Sequence, residues 1–479
     1  MCIRDRSNPF QYEVNGEWVD MEVRTETIEV AGGDAATVTI RNTRHGPIIS
    51  DDYGVLEDFA DSAGIPMPDE YAIAMRWTAL EENSSLVDAV LQLDLARDFE
   101  SFRNALRLFD VPSQNMVYAD VDGNIGYQAP GLIPIRSNGD GRIPVPGWTN
   151  EYEWTGYIPF EELPSVYNPA EGYIVTANNP VIDGSYPYLL TTDWNYGDRA
   201  ARIVELIEAN PAIDLDYMAG MQFDNYNRHA DRLLPWILGL DVSGEDGALV
   251  RARELLAAWD RLNAVDSSGA AIFEATWRHL LSLTFHDDLV EDSWPTGGTR
   301  WSLAVSEMMD LPKWSVWDDS TTSEVEDRDA ILDAAFRAGV EELQELLGDK
   351  PDEWEWGQIH GAVFRNETLG ESGVGLIEGR FNRGPYPAAG GTDIVNAVGY
   401  YADEGYEVTW VPSMRMIVDL GDLSNSLTIH TTGQSGHTYS SHYQDMIEPW
   451  LEGEYFPMAW DRADVELGAE GKLVLAPAD

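Results

Sequence analysis

The stretch of sequence best suited to chemistry ends in two consecutive asparagines. A strand-like run over residues 172–177 leads to Asn178, Asn179 and Pro180. An asparagine at the end of a strand can point a neutral N–H donor at a developing oxyanion, and loss of one such donor costs roughly 3–4 kcal/mol of transition-state stabilisation. Asn-Asn-Pro is also a common turn sequence. Taken alone, the stretch therefore favours a turn over an active site.

Patterns for other catalytic chemistries are absent or incomplete. The sequence contains no phosphate-binding G-x-x-x-x-G-K-[ST], no dinucleotide-binding glycine pattern and no H-E-x-x-H. Ser435 lies in a segment that resembles the nucleophile elbow G-x-S-x-G, but His437 stands where that pattern needs glycine. A polar turn is the favoured interpretation of Ser435. His437 and His442 are a weak zinc signal, and ordinary polar roles are favoured for both.

The charge of the chain restricts its partners. It carries 84 acidic and 30 basic residues, which gives a net charge of −54. Nucleic acid is therefore excluded as a partner, because phosphate binding needs clustered Lys and Arg, and an anionic membrane surface is disfavoured. No apolar run reaches the roughly 20 residues that span a bilayer. The only lysines are Lys313, Lys350 and Lys472. An acidic surface with few lysines predicts adaptation to high salt, where repulsion is screened within a few Å.

The order of elements predicts one sheet-based domain interrupted by helices. Apolar and polar residues alternate over residues 11–48, as in strands, and further strands are predicted from 355 to 432. Residues 199–350 are rich in Ala, Leu, Glu and Arg at helical spacing, which predicts a helical insertion. More locally, we predict a strand over 71–78, a helix over 98–108, a hairpin over 115–128, strands at 374–381, 394–401, 406–411, 414–420 and 426–430, and a helix near 442–451.

A series of short blocks, in this order along the chain, resembles the β-subunit of the penicillin acylase (penicillin amidase) family of N-terminal-nucleophile (Ntn) hydrolases. The most specific blocks are residues 118–127 (YADVDGNIGY) and residues 172–174 with Asn178-Asn179. The others are residues 44–47 (RHGP), 76–78 (RWT), 113–115 (SQN), 143–147 (IPVPG), Arg199, 356–357 with His360, 415–419 (RMIVD), and 433–436 (GQSG) with His442-Tyr443.

This resemblance implies an α+β fold, the αββα sandwich in which two antiparallel sheets lie between helical layers. It also implies autoproteolysis of a precursor into an α-subunit and a β-subunit. The new N-terminal Ser is then the nucleophile and its own amine the base. The implied substrate is a small-molecule N-acyl amide, either a β-lactam antibiotic or an acyl-homoserine lactone. No cofactor is implied for catalysis, a structural calcium is possible, and the implied location is periplasmic or extracellular.

Four residues acquire candidate roles from the resemblance. Asn178 resembles the oxyanion-hole side chain, and Arg199 the arginine that holds this site by hydrogen bonds; a buried salt bridge is the alternative for Arg199. Trp77 and Gln114 fall near positions that line the acyl pocket in relatives, although plain packing fits both. Ala177 stands where well-studied relatives have Trp. Together with Gln114, this departure argues against phenylacetyl specificity.

The start of the chain departs from the family pattern. Residues 1–10 do not continue the pattern of the sequence that follows. We interpret them as a non-native or mis-assembled leader before a β-subunit-like domain over 11–479. Ser7-Asn8 only mimics the family's Ser-Asn opening, because the residues after it already match a later part of the β-subunit. We therefore expect an N-terminally truncated amidohydrolase fragment that is inactive by itself. The alternatives are a non-catalytic binding protein that retains the fold and an acidic, Trp-rich carbohydrate-binding protein without it.

Overall fold

The computed structural model describes residues 1–5, 7–51, 71–81, 84–242, 244 and 247–476. The chain divides into two compact units, which are described separately. The first consists of Met1–Ile174 and Val181–Trp194, and the second of Val175–Pro180 and Asn195–Asp479.

Unit 1 is built mainly from short antiparallel strands. These are β1 (Cys2–Ile3), β2 (Gln11–Val14), β3 (Glu17–Asp20), β4 (Glu22–Ile28), β5 (Ala36–Thr43), β6 (Gly46–Pro47), β7 (Tyr71–Ala72), β8 (Met116–Ala119), β9 (Ile125–Gln128), β10 (Pro134–Arg136), β11 (Trp154–Tyr157) and β12 (Ser165–Tyr167). They pair as β1-β7, β2-β3, β4-β5-β6, β10-β11 and β12-β9-β8. Its helices are α1 (Leu86–Leu93) and α2 (Phe99–Leu106), with 3₁₀ turns at Thr78–Leu80 and Phe160–Glu162.

The hairpin predicted over residues 115–128 is present as β8 and β9. Its turn is held by Asp120, whose carboxylate accepts hydrogen bonds from the backbone N–H groups of Asp122 and Asn124, both at 3.0 Å. Gly123 has φ +85°, a conformation that glycine adopts at little cost. One residue into β9, a Cβ on Gly126 would lie less than 3 Å from the ring of Phe99 in α2. The hairpin therefore packs on α2 through a position that only glycine fits.

The RHGP block also acts through backbone contacts. Arg44 follows β5 and donates to the carbonyl oxygens of Gly147 at 2.9 Å and Thr149 at 2.6 Å. Its own N–H donates to the hydroxyl of Tyr12 in β2 at 2.9 Å. A guanidinium has five donors in a fixed fork, so one arginine can join several loops. Two of the recognised blocks, RHGP and IPVPG, are therefore tied to each other within unit 1.

Residues at the start of the chain pack within unit 1. β1 pairs with β7, and the amine of Met1 donates to the carbonyl of Val145 at 2.7 Å. The strand predicted over 71–78 is paired only at Tyr71–Ala72, with an isolated bridge between Ala74 and Ile48, and a 3₁₀ turn begins at Thr78. The interpretation of residues 1–10 as a leader stays a prediction.

Unit 2 is predominantly helical. Its helices are α3 (Asp198–Ala209), α4 (Leu215–Gln222), α5 (Arg228–Leu238), α6 (Gly247–Ala258), α7 (Ser268–Phe285), α8 (Thr299–Met308), α9 (Arg328–Leu347), α10 (Trp356–Ile359), α11 (Gly375–Phe381), α12 (Ile447–Leu451) and α13 (Arg462–Gly468). Its 3₁₀ turns are Glu291–Ser293, Ser315–Trp317, Pro351–Glu353, Leu423–Asn425 and Ser441–Tyr443. Its strands are β13 (Gly361–Phe364), β14 (Arg383–Pro387), β15 (Met414–Ile417), β16 (Leu427–His430) and β17 (Phe456–Pro457), paired antiparallel as β13-β14 and β15-β16-β17.

The core of unit 2 is centred on α7, which is buried along most of its length, including Phe273 and Trp277. A helix that is apolar on all sides must be covered by others. α9 packs against it at Gly339, where a Cβ would lie 2.9 Å from the backbone nitrogen of Thr276. The buried ring of Phe336 belongs to the same core. The segment predicted as a helical insertion therefore contributes the main core of this unit.

Several predictions for the C-terminal third were wrong. The strand predicted over 374–381 is instead the helix α11, which begins at Gly375, and the apolar side chains of Val374, Ile377 and Phe381 recur at helical spacing. The strands predicted at 394–401 and 406–411 reduce to one isolated bridge, between Gly399 and Trp410. The backbone of this segment is satisfied by scattered partners instead. Its N–H groups bond to the carbonyls of Asp224, Thr296 and Gly361.

Gly126→Ala in the complete protein tests the packing of the hairpin on α2. The added methyl must displace the ring of Phe99, and overpacking of this kind costs about 1–3 kcal/mol. We expect the urea midpoint of unfolding to fall accordingly. Gly123→Asn in the same hairpin is the matched control, because asparagine tolerates the left-handed conformation and meets no atom within 4 Å. Equal stability of wild type and Gly126→Ala would contradict this account.

Candidate active site

Asn178 and Asn179 have different roles in the turn that ends the 172–178 run. Asn178 is exposed and has φ +64°, a left-handed conformation in which asparagine is enriched among non-glycine residues. Asn179 closes the turn, because its side-chain oxygen accepts the N–H of the buried Ala177 at 3.0 Å. The turn function that the sequence suggests therefore falls to Asn179. Its neighbour Asn178 is free to present its amide.

Arg199 fixes the orientation of that amide. It is the second residue of α3, and its Nη2 donates to Oδ1 of Asn178 at 2.8 Å. A guanidinium has only donors, so the atom of the amide that faces it must be the oxygen. Both N–H bonds of the Asn178 amide consequently point away from Arg199 and remain able to donate to another acceptor. This is the arrangement that an oxyanion donor requires.

The electrostatics of Arg199 support this role. Burial lowers the pKa of its guanidinium, and the nearby carboxyl of Asp393 acts in the opposite direction. Arginine remains protonated in proteins despite such shifts. Within the described residues, no carboxylate lies at ion-pair distance from Arg199, so the alternative of a buried salt bridge is not what the structure contains. A partly desolvated positive charge therefore stands behind the amide of Asn178.

A further contact holds the backbone at Asn178. The N–H of Asn195 donates to the carbonyl oxygen of Asn178 at 2.8 Å, and its side-chain amide donates to Oδ1 of Asp393 at 2.7 Å. The side-chain oxygen of Asn195 in turn accepts the N–H of Gly197 at 2.9 Å, one residue before α3 begins. Sequence reasoning did not single out Asn195 or Asp393. Asp393 is one of 84 acidic residues, and nothing in its local pattern marks it.

The two residues predicted to line the acyl pocket lie in unit 1. Trp77 is 51% exposed and precedes the 3₁₀ turn Thr78–Leu80. Gln114 is exposed and stands two residues before β8. Neither side chain is consumed by core packing, which removes the simplest alternative to a binding role. Their substrate contacts stay a prediction.

The other candidate positions form ordinary polar contacts. Ser435 donates its backbone N–H to the carbonyl of His442 at 2.9 Å, and its hydroxyl accepts the N–H of His437 at 3.1 Å. This is the polar turn favoured from the sequence. His442 contacts the carboxylates of Asp445 at 2.7 Å and Glu470 at 3.1 Å, and these neighbours raise its pKa.

Among the residues that the structure describes, no three His, Cys, Asp or Glu side chains are grouped closely enough to hold a metal ion. The implied calcium stays a prediction, and no step of the chemistry below depends on one. The described part of the chain also contains no helix with the length and apolar character needed to cross a membrane.

A solved structure shares this architecture. The thermostable penicillin G acylase from Alcaligenes faecalis superimposes with a TM-score of 0.71, covering 100% of this chain and 85% of that one at 20% identity. At that identity the match defines the fold, which is that of the Ntn hydrolases. The predicted fold class is thereby confirmed. The alternative of a carbohydrate-binding protein that lacks this fold is therefore wrong.

Sequence comparison defines the family. The penicillin amidase profile matches residues 3–467. The chain therefore belongs to the penicillin amidase family, and the resemblance found from short blocks is confirmed.

Named relatives fall into two groups of acylases. Acyl-homoserine lactone acylase QuiP of Pseudomonas aeruginosa is 31% identical over 99% of this chain and 59% of its own length. Penicillin acylase 2 proenzyme of Pseudomonas sp. strain SE83 is 30% identical over 95% of this chain and 56% of its own. The chain thus spans less than two thirds of the length of the curated relatives it matches.

Arg199→Met tests whether the guanidinium orients Asn178. The released amide oxygen is exposed and can bond to water, so the free energy of unfolding should change by less than about 1 kcal/mol. In a crystal structure of the variant, the Asn178 side chain should occupy more than one rotamer. Arg202→Met is the matched control on the same helix; it removes the pair with Asp224 and should leave Asn178 ordered. An ordered, unmoved Asn178 in Arg199→Met would contradict the assignment.

Proposed function

We propose that this protein acts in the hydrolysis of linear amide bonds of N-acyl compounds, with Asn178 as a donor to the oxyanion. The observation that carries the proposal is the hydrogen bond from Arg199 to Asn178. It leaves both amide hydrogens of Asn178 directed away from Arg199 and able to donate to another acceptor. Membership of the penicillin amidase family supports the same reaction class.

The chemistry assigned to these residues is that of acyl transfer. A nucleophilic oxygen attacks the amide carbonyl carbon, and the carbonyl oxygen becomes an oxyanion. Nδ2 of Asn178 donates to that oxygen, and the positive charge of Arg199 behind the amide strengthens the donor. Collapse of the intermediate expels the amine, and water then releases the acid. The proposed nucleophile is the N-terminal serine typical of the family, with its own amine as base.

The proposed substrates follow from the activities after which the relatives are named. Acyl-homoserine lactones and penicillins both present an acyl group joined to an amine by a secondary amide, which is the bond this chemistry cleaves. Trp77 and Gln114 are proposed to contact the acyl group. Ala177 stands in place of the bulky residue implied by the resemblance, and this weakens the case for phenylacetyl specificity.

The remaining features of the proposal rest on the resemblance. We propose that an α-subunit from the same precursor, produced by autoproteolysis, is the protein partner and that the mature protein works in the periplasm or outside the cell. A structural calcium belongs to the same set of proposals. Each concerns the complete protein rather than the residues discussed above.

Asn178→Asp in the complete protein tests the function directly. Aspartate keeps the shape, tolerates the left-handed conformation and can still accept from Arg199, but it has no N–H to donate. We expect kcat to fall about a hundredfold or more, with the thermal midpoint nearly unchanged. Asn178→Ala should lose as much activity, with an added stability cost because alanine disfavours positive φ. The measurement is amine release from an acyl-homoserine lactone and from a penicillin.

These measurements distinguish an amide hydrolase from a non-catalytic binding protein with the same fold. Wild-type activity in Asn178→Asp would remove Asn178 from the mechanism. Substrate binding by the complete wild-type protein without any amine release would instead support the non-catalytic binding protein.

We further propose that the protein is adapted to high salt. Its net charge of −54 produces self-repulsion that opposes the compact state and is screened by ions. The thermal midpoint should rise by several degrees between about 0.1 and 1 M KCl, over which the Debye length falls from about 10 to 3 Å. Sucrose of matched osmolality is the control for non-ionic effects. A midpoint that is constant or falls with KCl would refute salt adaptation.

A further inference from the structure

We propose that Asp393 is a positioning residue for the Asn178 amide and that it acts through Asn195 and through the charge of Arg199. The inference rests on the proposed function, because it concerns how the oxyanion donor is held. It assigns a role to a carboxyl group that the mechanism above does not use.

The first link is a continuous hydrogen-bond path. Asp393 accepts the side-chain amide of Asn195 at 2.7 Å, and Asn195 donates its backbone N–H to the carbonyl of Asn178 at 2.8 Å. Hydrogen bonds to an ionised acceptor are roughly twice as strong as neutral ones. An ionised Asp393 therefore fixes Asn195, and Asn195 fixes the backbone on which the Asn178 side chain is carried.

The second link is electrostatic. Asp393 and Arg199 influence each other's pKa as opposite charges, although they are not in ion-pair contact. A negative Asp393 favours the position of the guanidinium that donates to Asn178. One carboxyl group thus supports both the backbone and the side chain of the oxyanion donor.

The environment of Asp393 is costly for a carboxylate. Its φ is +60°, and its Oδ2 is buried with no hydrogen-bond partner in the described part of the chain. Burial raises its pKa to about 6, with Arg199 acting in the opposite direction. Buried polar atoms normally have partners, and exceptions are frequent at functional sites. An asparagine would satisfy the same turn without this penalty, so the carboxylate calls for a reason beyond the fold.

The other groups around Asp393 are compatible with this assignment. Burial lowers the pKa of His229 to about 3, so this ring is neutral near pH 6. Asp198 and Arg232 form an ion pair with each other at 2.6 Å. The titratable and charged groups that face Asp393 are Asp198 and Arg199 on α3, His229 and Arg232 on α5, Glu274 on α7, and Tyr400.

The direction of the pH effect follows from the raised pKa. Between the ordinary aspartate pKa of about 4 and the folded value of about 6, the folded state holds a proton that the unfolded chain has released. Stability from this group therefore falls as the pH rises through that window. The Asn178 amide becomes better positioned as the pH rises through the same window, because only the ionised carboxylate of Asp393 makes a charge-assisted hydrogen bond with Asn195.

Asp393→Asn in the complete protein tests the inference, because it preserves shape and left-handed conformation while removing the charge. At pH 8 we expect kcat to fall about tenfold with KM unchanged, as a charge-assisted bond becomes a neutral one. The ratio of wild-type to variant kcat should shrink toward one below pH 6, where the wild-type carboxyl is itself protonated. The thermal midpoint at pH 8 should not fall. Taking the ratio cancels ionisations that both proteins share.

Asp224→Asn is the matched control. Asp224 is also a poorly exposed carboxylate next to α3, where it pairs with Arg202. Within the described residues, its side-chain hydrogen bonds go to Arg202 and Tyr226 and not to Asn178 or Asn195. Its activity ratio to wild type should not vary with pH. Should Asp393→Asn fail to fold, Asn195→Ser serves instead, because serine can keep the turn to Gly197 yet is too short to reach Asp393. It should show the same loss at pH 8.

A pH-independent activity ratio for Asp393→Asn, or a loss of activity that only parallels a loss of stability, would overturn the inference. Crystal structures of wild type and Asp393→Asn at pH 8 separate this failure from failure of the proposed function. An unmoved Asn178 in the variant overturns the positioning role whatever the activity. A displaced Asn178 in a protein whose wild type hydrolyses no N-acyl amide supports the positioning role and overturns the proposed function.

Discussion

The candidate site depends on one constraint, the hydrogen bond from a partly desolvated guanidinium to the oxygen of an exposed amide. Because arginine can only donate, the contact between Arg199 and Asn178 decides which end of the amide faces outward. Asn178 lies on an irregular turn, whereas Arg199 lies in the first turn of a twelve-residue helix, Asp198–Ala209. The helix thereby lends its rigidity to a loop residue, and catalytic geometry needs that rigidity.

Three of the blocks that reveal the family contain side chains that hold the fold together. Asp120 closes a hairpin turn, Arg44 gathers loop carbonyls, and the buried Arg415 donates to the carbonyl of Trp450 at 2.8 Å and to Asn396 at 2.9 Å. Each of these side chains satisfies backbone or amide groups that would otherwise lack partners. Such residues have few chemically equivalent substitutes. The family is therefore recognisable from short segments even where the chemistry has to be argued separately.

The sequence predicted elements well where local signals and long-range packing agree. The 115–128 hairpin has two apolar runs on either side of its turn residues, and they pair in register, while the helix at 99–106 has a capping aspartate, Asp98. Prediction failed at 394–411, because the partners of that backbone are distant in sequence and no periodicity encodes them. At the candidate site, Asn178 and Arg199 were singled out through the resemblance, and the structure joins them by a hydrogen bond. Asn195 and Asp393 were not singled out, since their contacts with this pair arise only in the folded chain.

The left-handed backbone at Asn178 restricts how this site could be redesigned. At φ +64° glutamine, serine and threonine meet strain that asparagine, aspartate and glycine largely avoid. Of the last three, only asparagine offers a side-chain N–H. Replacing this amide by glutamine or by a hydroxyl donor therefore requires rebuilding the turn as well as the side chain. The residue at position 178 is thus narrowly limited by its own main chain.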